Sequence, residues 1–290
     1  MVVISALGTG VSAAKRNPIL FVVVAAFGLI QIPGLVAQSI SPLLGSLVSL
    51  GLSGVFVILT PFFFGGLIAM ANESIGGHTS VGTLIAAGKA NYVPILVVYL
   101  GLLAFYFVLG LVSVLVFAVG GAFVFSFGGG SGGGGIGASP TALVVVAVVS
   151  LLGLLVYLGS VFFLQFFAHA IVLDGVGAVD GIKRSIRAVR QNLSTVFGYN
   201  LITGSLGVLF GLLGGAISIL SSPSFAAPPG AMAPTSQLTG SLPTIGTAGV
   251  VGLTLVVVVL SALVGGVFSV YSTAVYRSIR PTGSTLTEAL

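Results

Sequence analysis

The sequence predicts an all-α integral membrane protein, with six transmembrane helices and three interfacial amphipathic helices arranged in three repeated units. Three observations predict it. The chain of 290 residues is 57% hydrophobic and 4% charged, which leaves too little polar surface to coat a water-soluble globule. Its mean hydropathy is +1.27. Six apolar runs are long enough, at about 20 helical residues each, to cross roughly 30 Å of hydrocarbon. Residues 62–91, moved by 101 positions, lie without a gap on residues 163–192.

Each unit is predicted to open with an interfacial helix and continue with two spans. The spans fall near residues 18–38, 47–70, 94–117, 143–167, 195–220 and 250–275. They lack the period-two alternation of a membrane barrel and are too long for its strands. Pro33-Gly34 in the first and Pro61 in the second predict kinks, because proline removes a helix hydrogen bond. Lys15 and Arg16 precede the first run and no small-residue cleavage site follows it, the pattern of an uncleaved anchor. The units are placed at about 4–74, 78–175 and 179–280 of a single membrane domain covering 1–290, with a short cytoplasmic tail at 281–290.

The interfacial helices are read from a recurring pattern. Ser5, Thr79 and Asp180 each stand twelve positions before an asparagine, respectively Asn17, Asn91 and Asn192. Apolar residues follow two positions after the first residue (Leu7, Val81, Ile182) and six after it (Val11, Ile85, Ile186), and a basic residue comes ten after it (Lys15, Lys89, Arg190). At 3.6 residues per turn the apolar positions share a face. Ser, Thr or Asp at the start accepts a hydrogen bond from a free N–H, and the asparagine is assigned the C-cap because it tolerates the left-handed conformation. The third copy is the most basic. There Val179, Ile182, Ile186, Val189 and Leu193 form a narrow apolar stripe beside Lys183, Arg184, Arg187 and Arg190. Four cations near anionic headgroups contribute at most about 1 kcal/mol each, so this helix is the predicted contact for membrane lipids or a partner.

All nine Lys and Arg fall on one side of a six-span chain. A central Arg or Lys costs roughly 2.5–3.5 kcal/mol, so loop charge sets orientation and both termini are expected in the cytoplasm, with the protein in the cell membrane. The net charge of +5 is explained by this bias and not by nucleic acid. The outer loops carry no charge, and two of them, residues 128–140 and 221–249, are biased in composition. The first is a glycine tract without the Lys-Ser/Thr pair of a phosphate loop, and reads as a linker.

The inventory for chemistry is small. Without cysteine there is no disulfide, thiolate metal site or thiol nucleophile. With four carboxylates and no Ser–His–Asp spacing, the chain is expected to be no enzyme, with no catalytic residue, cofactor or metal. Glu73 and Asp174 occupy equivalent positions beyond spans two and four and read as span-end acids that pair with nearby bases such as Arg184 or Arg187. His78 and His169 lie in separate units and read as packed or interfacial imidazoles. Gly207, Gly211 and Gly215 form a small-xxx-small seam expected to pack helices within the bundle, and Asn200 and Gln165 are candidates for hydrogen bonds across helices.

The stretch AIVLDGVGAVDGIKRSIRAVRQN resembles the hairpin in the membrane domain of glycerophosphoryl diester phosphodiesterase-type proteins and related uncharacterised families. The matching residues are Asp174, the turn glycine Gly177, Lys183-Arg184-Ser185 and Asn192. With its glycine-rich outer loops and no cysteine, the chain is also similar to multi-pass proteins of haloarchaea that have no assigned activity. The family enzymes carry their activity in a separate soluble barrel, which these residues do not contain, so the resemblance implies a membrane-embedded accessory fold without catalysis. The expected function is that of a non-enzymatic scaffold or regulator whose basic cytoplasmic face meets lipid headgroups or a membrane or cytoplasmic protein partner. The alternative is a small-solute or lipid permease that uses the repeat interface, with Gln31, Pro33, Pro61, Gln165 and Asn200 as its polar and helix-breaking groups.

Overall fold

The computed structural model describes residues 2–30, 32–34, 37, 41–127, 140–221 and 247–281. Residues 128–139 of the glycine tract, residues 222–246 of the second outer segment, Gln31 and Glu288 lie outside the described residues. No strand occurs among those described. The helices are α1 (Val2–Arg16), α2 (Ile19–Leu29), α3 (Pro42–Gly76), α4 (Val81–Ala90), α5 (Tyr92–Phe127), α6 (Pro140–Leu164), α7 (Phe167–Asp174), α8 (Ala178–Gln191), α9 (Leu193–Ser221) and α10 (Thr247–Ile279).

Four stretches are long and apolar enough to cross a membrane: Leu43–Gly76, Tyr92–Ala118, Val144–Asp174 and Leu255–Ile279. A fifth arises only if Val2–Arg16 and Ile19–Gly34, which meet at 87°, form one span. The bend falls at Pro18, which has no N–H to donate and disfavours helical backbone at Asn17. Four of the six expected spans correspond to these long stretches, and the other two are the first and the fifth. The first is one arm of this bent pair. The fifth lies in α9, which runs over 29 residues from Leu193 to Ser221 and of which Leu193–Leu209 stands among the shorter apolar helices of the described residues. The long helices expose large apolar side chains, with Leu50 at 72% and Phe107 at 71%. Leaving such a side chain in water forfeits about 1.5–3 kcal/mol, a loss that lipid contact removes.

The helices cluster into two compact units. The first joins Met1–Ala90 to Asn192–Ile279. Within it α1 and α2 pack on α10, and α4 lies on α3. Small residues permit the close approach. A Cβ on Gly10 would stand 3.1 Å from that of Tyr271, and one on Gly88 would meet the Phe62 carbonyl oxygen at 2.8 Å. Ala13, Ala14, Leu20, Val23, Leu67, Met70, Ala71 and Val270 form the core. Phe27 stacks on Phe63 at 4.2 Å and meets Phe56 edge-on at 5.1 Å.

The second unit contains Asn91–Gln191. Ile95, Val98 and Ile171 are its buried centre, flanked by Phe167 and Ile182. The span breaks between α6 and α7, where Ser185 of α8 enters the hydrogen-bond ladder. Its Oγ accepts from the Phe166 N–H at 3.2 Å and donates to the Phe163 carbonyl at 2.8 Å. A side chain inserted in this way is one of the few causes of a helix break. Among the described residues the amide groups of Gln165 and Asn200, expected to bond across helices, donate within their own segments. Gln165 Nε2 donates to Phe162 O at 2.8 Å and Asn200 Nδ2 to Val196 O at 2.9 Å, because a carbonyl one turn back is always within reach.

Candidate functional site

The candidate site is built on α8 and the acid that precedes it. Gly175 ends α7 in the left-handed conformation, φ 64°, the one described residue type that adopts it without a Cβ penalty. Gly177 lies in the same turn, between Asp174 and Ala178, and its carbonyl accepts the Gly181 N–H at 2.8 Å. The turn reverses the chain so that α8 runs back over α7. Gly181 faces Ile171, where an added Cβ would stand 2.6 Å from the side chain.

Asp174 is then held between two cations. Arg184 Nη1 lies 3.2 Å from Oδ2 and Arg280 Nη1 lies 3.9 Å from Oδ1, while the Asp174 side chain is only 8% exposed. Lys183 pairs with Asp180 at 3.9 Å in an exposed contact that adds little to stability. Among the described residues Arg187 and Arg190 carry no ion pair, and both are exposed. The cations expected to act together therefore divide: Arg184 neutralises Asp174, while Lys183, Arg187 and Arg190 point outward.

The equivalent acid, Glu73, has a different environment. Its Oε2 accepts from Thr83 Oγ1 at 2.6 Å and from Thr79 Oγ1 at 2.7 Å, and no base pairs with it among the described residues. His169 is buried, with its ring 5.6 Å from that of Phe166, and His78 is exposed. No group of three or more His, Asp or Glu suited to a metal ion occurs among the described residues.

The caps are rearranged. Ser5 lies inside α1 and its Oγ donates to the Val2 carbonyl, since apolar Val2–Ile4 continue the helix upstream of it. Thr79 is spent on Glu73, and the adjacent Ser80 accepts the Thr83 N–H at 3.4 Å. Asp180 is the third residue of α8, and its side chain meets Lys183. None of the three asparagines is left-handed. Each stands directly after the short helix it was expected to end, α1, α4 or α8, and also starts the next one: the carbonyls of Asn17, Asn91 and Asn192 accept from Leu20, Ile95 and Val196 at 3.1, 3.2 and 3.0 Å. Asn17 also closes α1, with Nδ2 donating to Ala13 O at 2.9 Å and to Gly77 O at 3.0 Å, while Oδ1 accepts from Thr79 N at 2.9 Å. Asn192 Nδ2 donates to Ile279 O at 3.2 Å. A Cβ on Gly207, Gly211 or Gly215 would meet nothing within 4 Å among the described residues.

The arrangement is that of a multi-helix membrane protein, with short helices docked at the ends of long apolar ones. The chain belongs to the family described as Domain of unknown function (DUF7847), which matches residues 1–279. No curated protein and no solved structure matches it.

Proposed function

We propose that this protein is a non-enzymatic scaffold or regulator of the cell membrane, with six spans in three repeated units and both termini in the cytoplasm. Its α8 meets anionic lipid headgroups or a protein partner. The observation that carries the reading is the division of α8 into three faces at 100° per residue. Gly181, Ser185, Ala188 and Val189 are buried against the unit. Beside them run Ile182, Ile186 and the exposed Val179, and beyond these Lys183, Arg187 and Arg190. An apolar edge next to a cationic face fits the boundary between acyl chains and headgroups.

The three-unit reading is supported by the residue five positions after each predicted start. Gly10 faces Tyr271, Leu84 faces Gly66, and Ser185 bonds Phe163 and Phe166, so the same position of each short helix meets a span. The resemblance to the phosphodiesterase-type membrane domain supports an accessory role without chemistry of its own.

The test is gentle purification of the full chain and of K183Q/R187Q/R190Q, followed by identification of bound lipids and proteins. Each lost cation is expected to lower anionic-lipid enrichment by at most about fivefold at low salt, and less as salt rises. An unchanged lipid and protein profile would sink the proposal.

A further inference from the structure

We infer that a recess in the first unit, between the first turns of α1 and the ends of α3 and α10, is a separate binding site for a phosphate group carried on an apolar stem. Its volume is about 220 Å³. Whole drug-sized ligands occupy roughly 300–1,000 Å³, so the recess fits a headgroup fragment and not a complete metabolite. Arg277 lines it, together with the hydroxyls of Ser5, Thr9 and Ser278, and Ala6 and Ile75 supply apolar wall. No carboxylate lines the recess, and none pairs with Arg277 among the described residues. Ile75 and Arg277 stand near the ends of the crossing stretches Leu43–Gly76 and Leu255–Ile279, which is headgroup level.

The internal register sharpens the chemistry. Four positions after Thr79, Thr83 donates to Glu73; four after Asp180, Arg184 pairs with Asp174. Four after Ser5 comes Thr9, which lines the recess. Stepping 101 residues from Glu73 reaches Asp174, and a second step reaches Val275. At this third position the carboxylate is gone and a cation, Arg277, stands two residues on. Two short helices satisfy an acid of their own chain, and the third has the donors without the acid. The hydroxyls now donate to helix carbonyls, Ser5 to Val2 at 2.9 Å, Thr9 to Ser5 at 3.0 Å and Ser278 to Val275 at 2.6 Å. Rotation about the Cβ–Oγ bond redirects a hydroxyl proton towards an anion, and a guanidinium gives charge-assisted bonds to phosphate oxygens.

Free phosphate and a phospholipid headgroup offer the same chemistry, and one experiment separates them. The full chain is made in the K183Q/R187Q/R190Q background, which removes α8 as a source of lipid binding. Native mass spectrometry in neutral detergent then compares phosphatidylglycerol with diacylglycerol, with and without inorganic phosphate. Phosphatidylglycerol is expected to be retained and diacylglycerol lost. R277Q should lower occupancy roughly tenfold, R277K should restore part of it, and S5A/T9A should lower it roughly threefold, all with an unchanged melting temperature. Displacement by inorganic phosphate shows that the group alone suffices; resistance to it shows that the stem is required. Occupancy unchanged in both R277Q and S5A/T9A, or diacylglycerol bound as well as phosphatidylglycerol, overturns the site.

Discussion

Asn17 is 2% exposed and makes three side-chain hydrogen bonds, two of them to a loop sixty and sixty-two residues away in the chain. Its amide both donates and accepts, which no carboxylate or apolar side chain can copy. Asn17→Asp keeps the shape but sets an anion against the carbonyls of Ala13 and Gly77. It is expected to destabilise the first unit by about 2–4 kcal/mol, read as a fall in melting temperature of the purified protein. Asn17→Asp melting like the wild type would show that the clamp does not matter. The sequence spacing singled out Asn17, Asn91 and Asn192, but as left-handed caps. Their partners Gly77, Thr79 and Ile279 are distant in sequence, and a local pattern holds no information about a contact closed by tertiary packing. Glu73 and Asp174 illustrate the same limit: their equivalence was legible at a spacing of 101, yet one accepts from threonines and the other from arginine.

Short helices dock on long ones through their smallest residues, and this sets what each element tolerates. Gly88 of α4 meets Phe62 of α3 at 2.8 Å from an added Cβ, whereas Gly101 in α5 meets nothing within 4 Å. Gly88→Ala is expected to destabilise by about 1–3 kcal/mol, because the obstacle includes backbone oxygen. Gly101→Ala should stabilise by about 0.5–1 kcal/mol through lost backbone entropy. Thermal melts of the two variants side by side check the contrast, and shifts of the same sign would contradict it. The long apolar helices were legible because run length alone measures a bilayer. The docking face was not. The expected stripe of Val179, Ile182, Ile186, Val189 and Leu193 contributes only Val189 to the buried face of α8, while Gly181, Ser185 and Ala188 fill the rest. Where lipid surrounds the protein, large apolar side chains turn outward and small ones mark helix contacts, which inverts the rule learned from water-soluble cores. The break at Gln165 was hidden for a related reason, since the residue responsible, Ser185, sits in another helix.

At the scale of the whole chain, the charge distribution discriminates between span counts. With all six predicted spans, the nine Lys and Arg share one side. If only the four long stretches cross, Lys15, Arg16, Arg277 and Arg280 share one side and Lys89, Lys183, Arg184, Arg187 and Arg190 face the other. Adding the bent N-terminal pair as a fifth crossing still strands Arg277 and Arg280 opposite Lys183 and its neighbours. The positive-inside bias therefore favours a crossing by α9, which is 29 residues long and carries no charge between Leu193 and Ser221. Because the chain has no cysteine, single cysteines at positions 132 and 235 report their sides without background. Six spans place both positions outside, and a membrane-impermeant thiol reagent applied to intact cells should label both. Four or five spans place 132 and 235 on opposite sides, so labelling of only one before lysis would remove α9 from the membrane and with it the shared basic face.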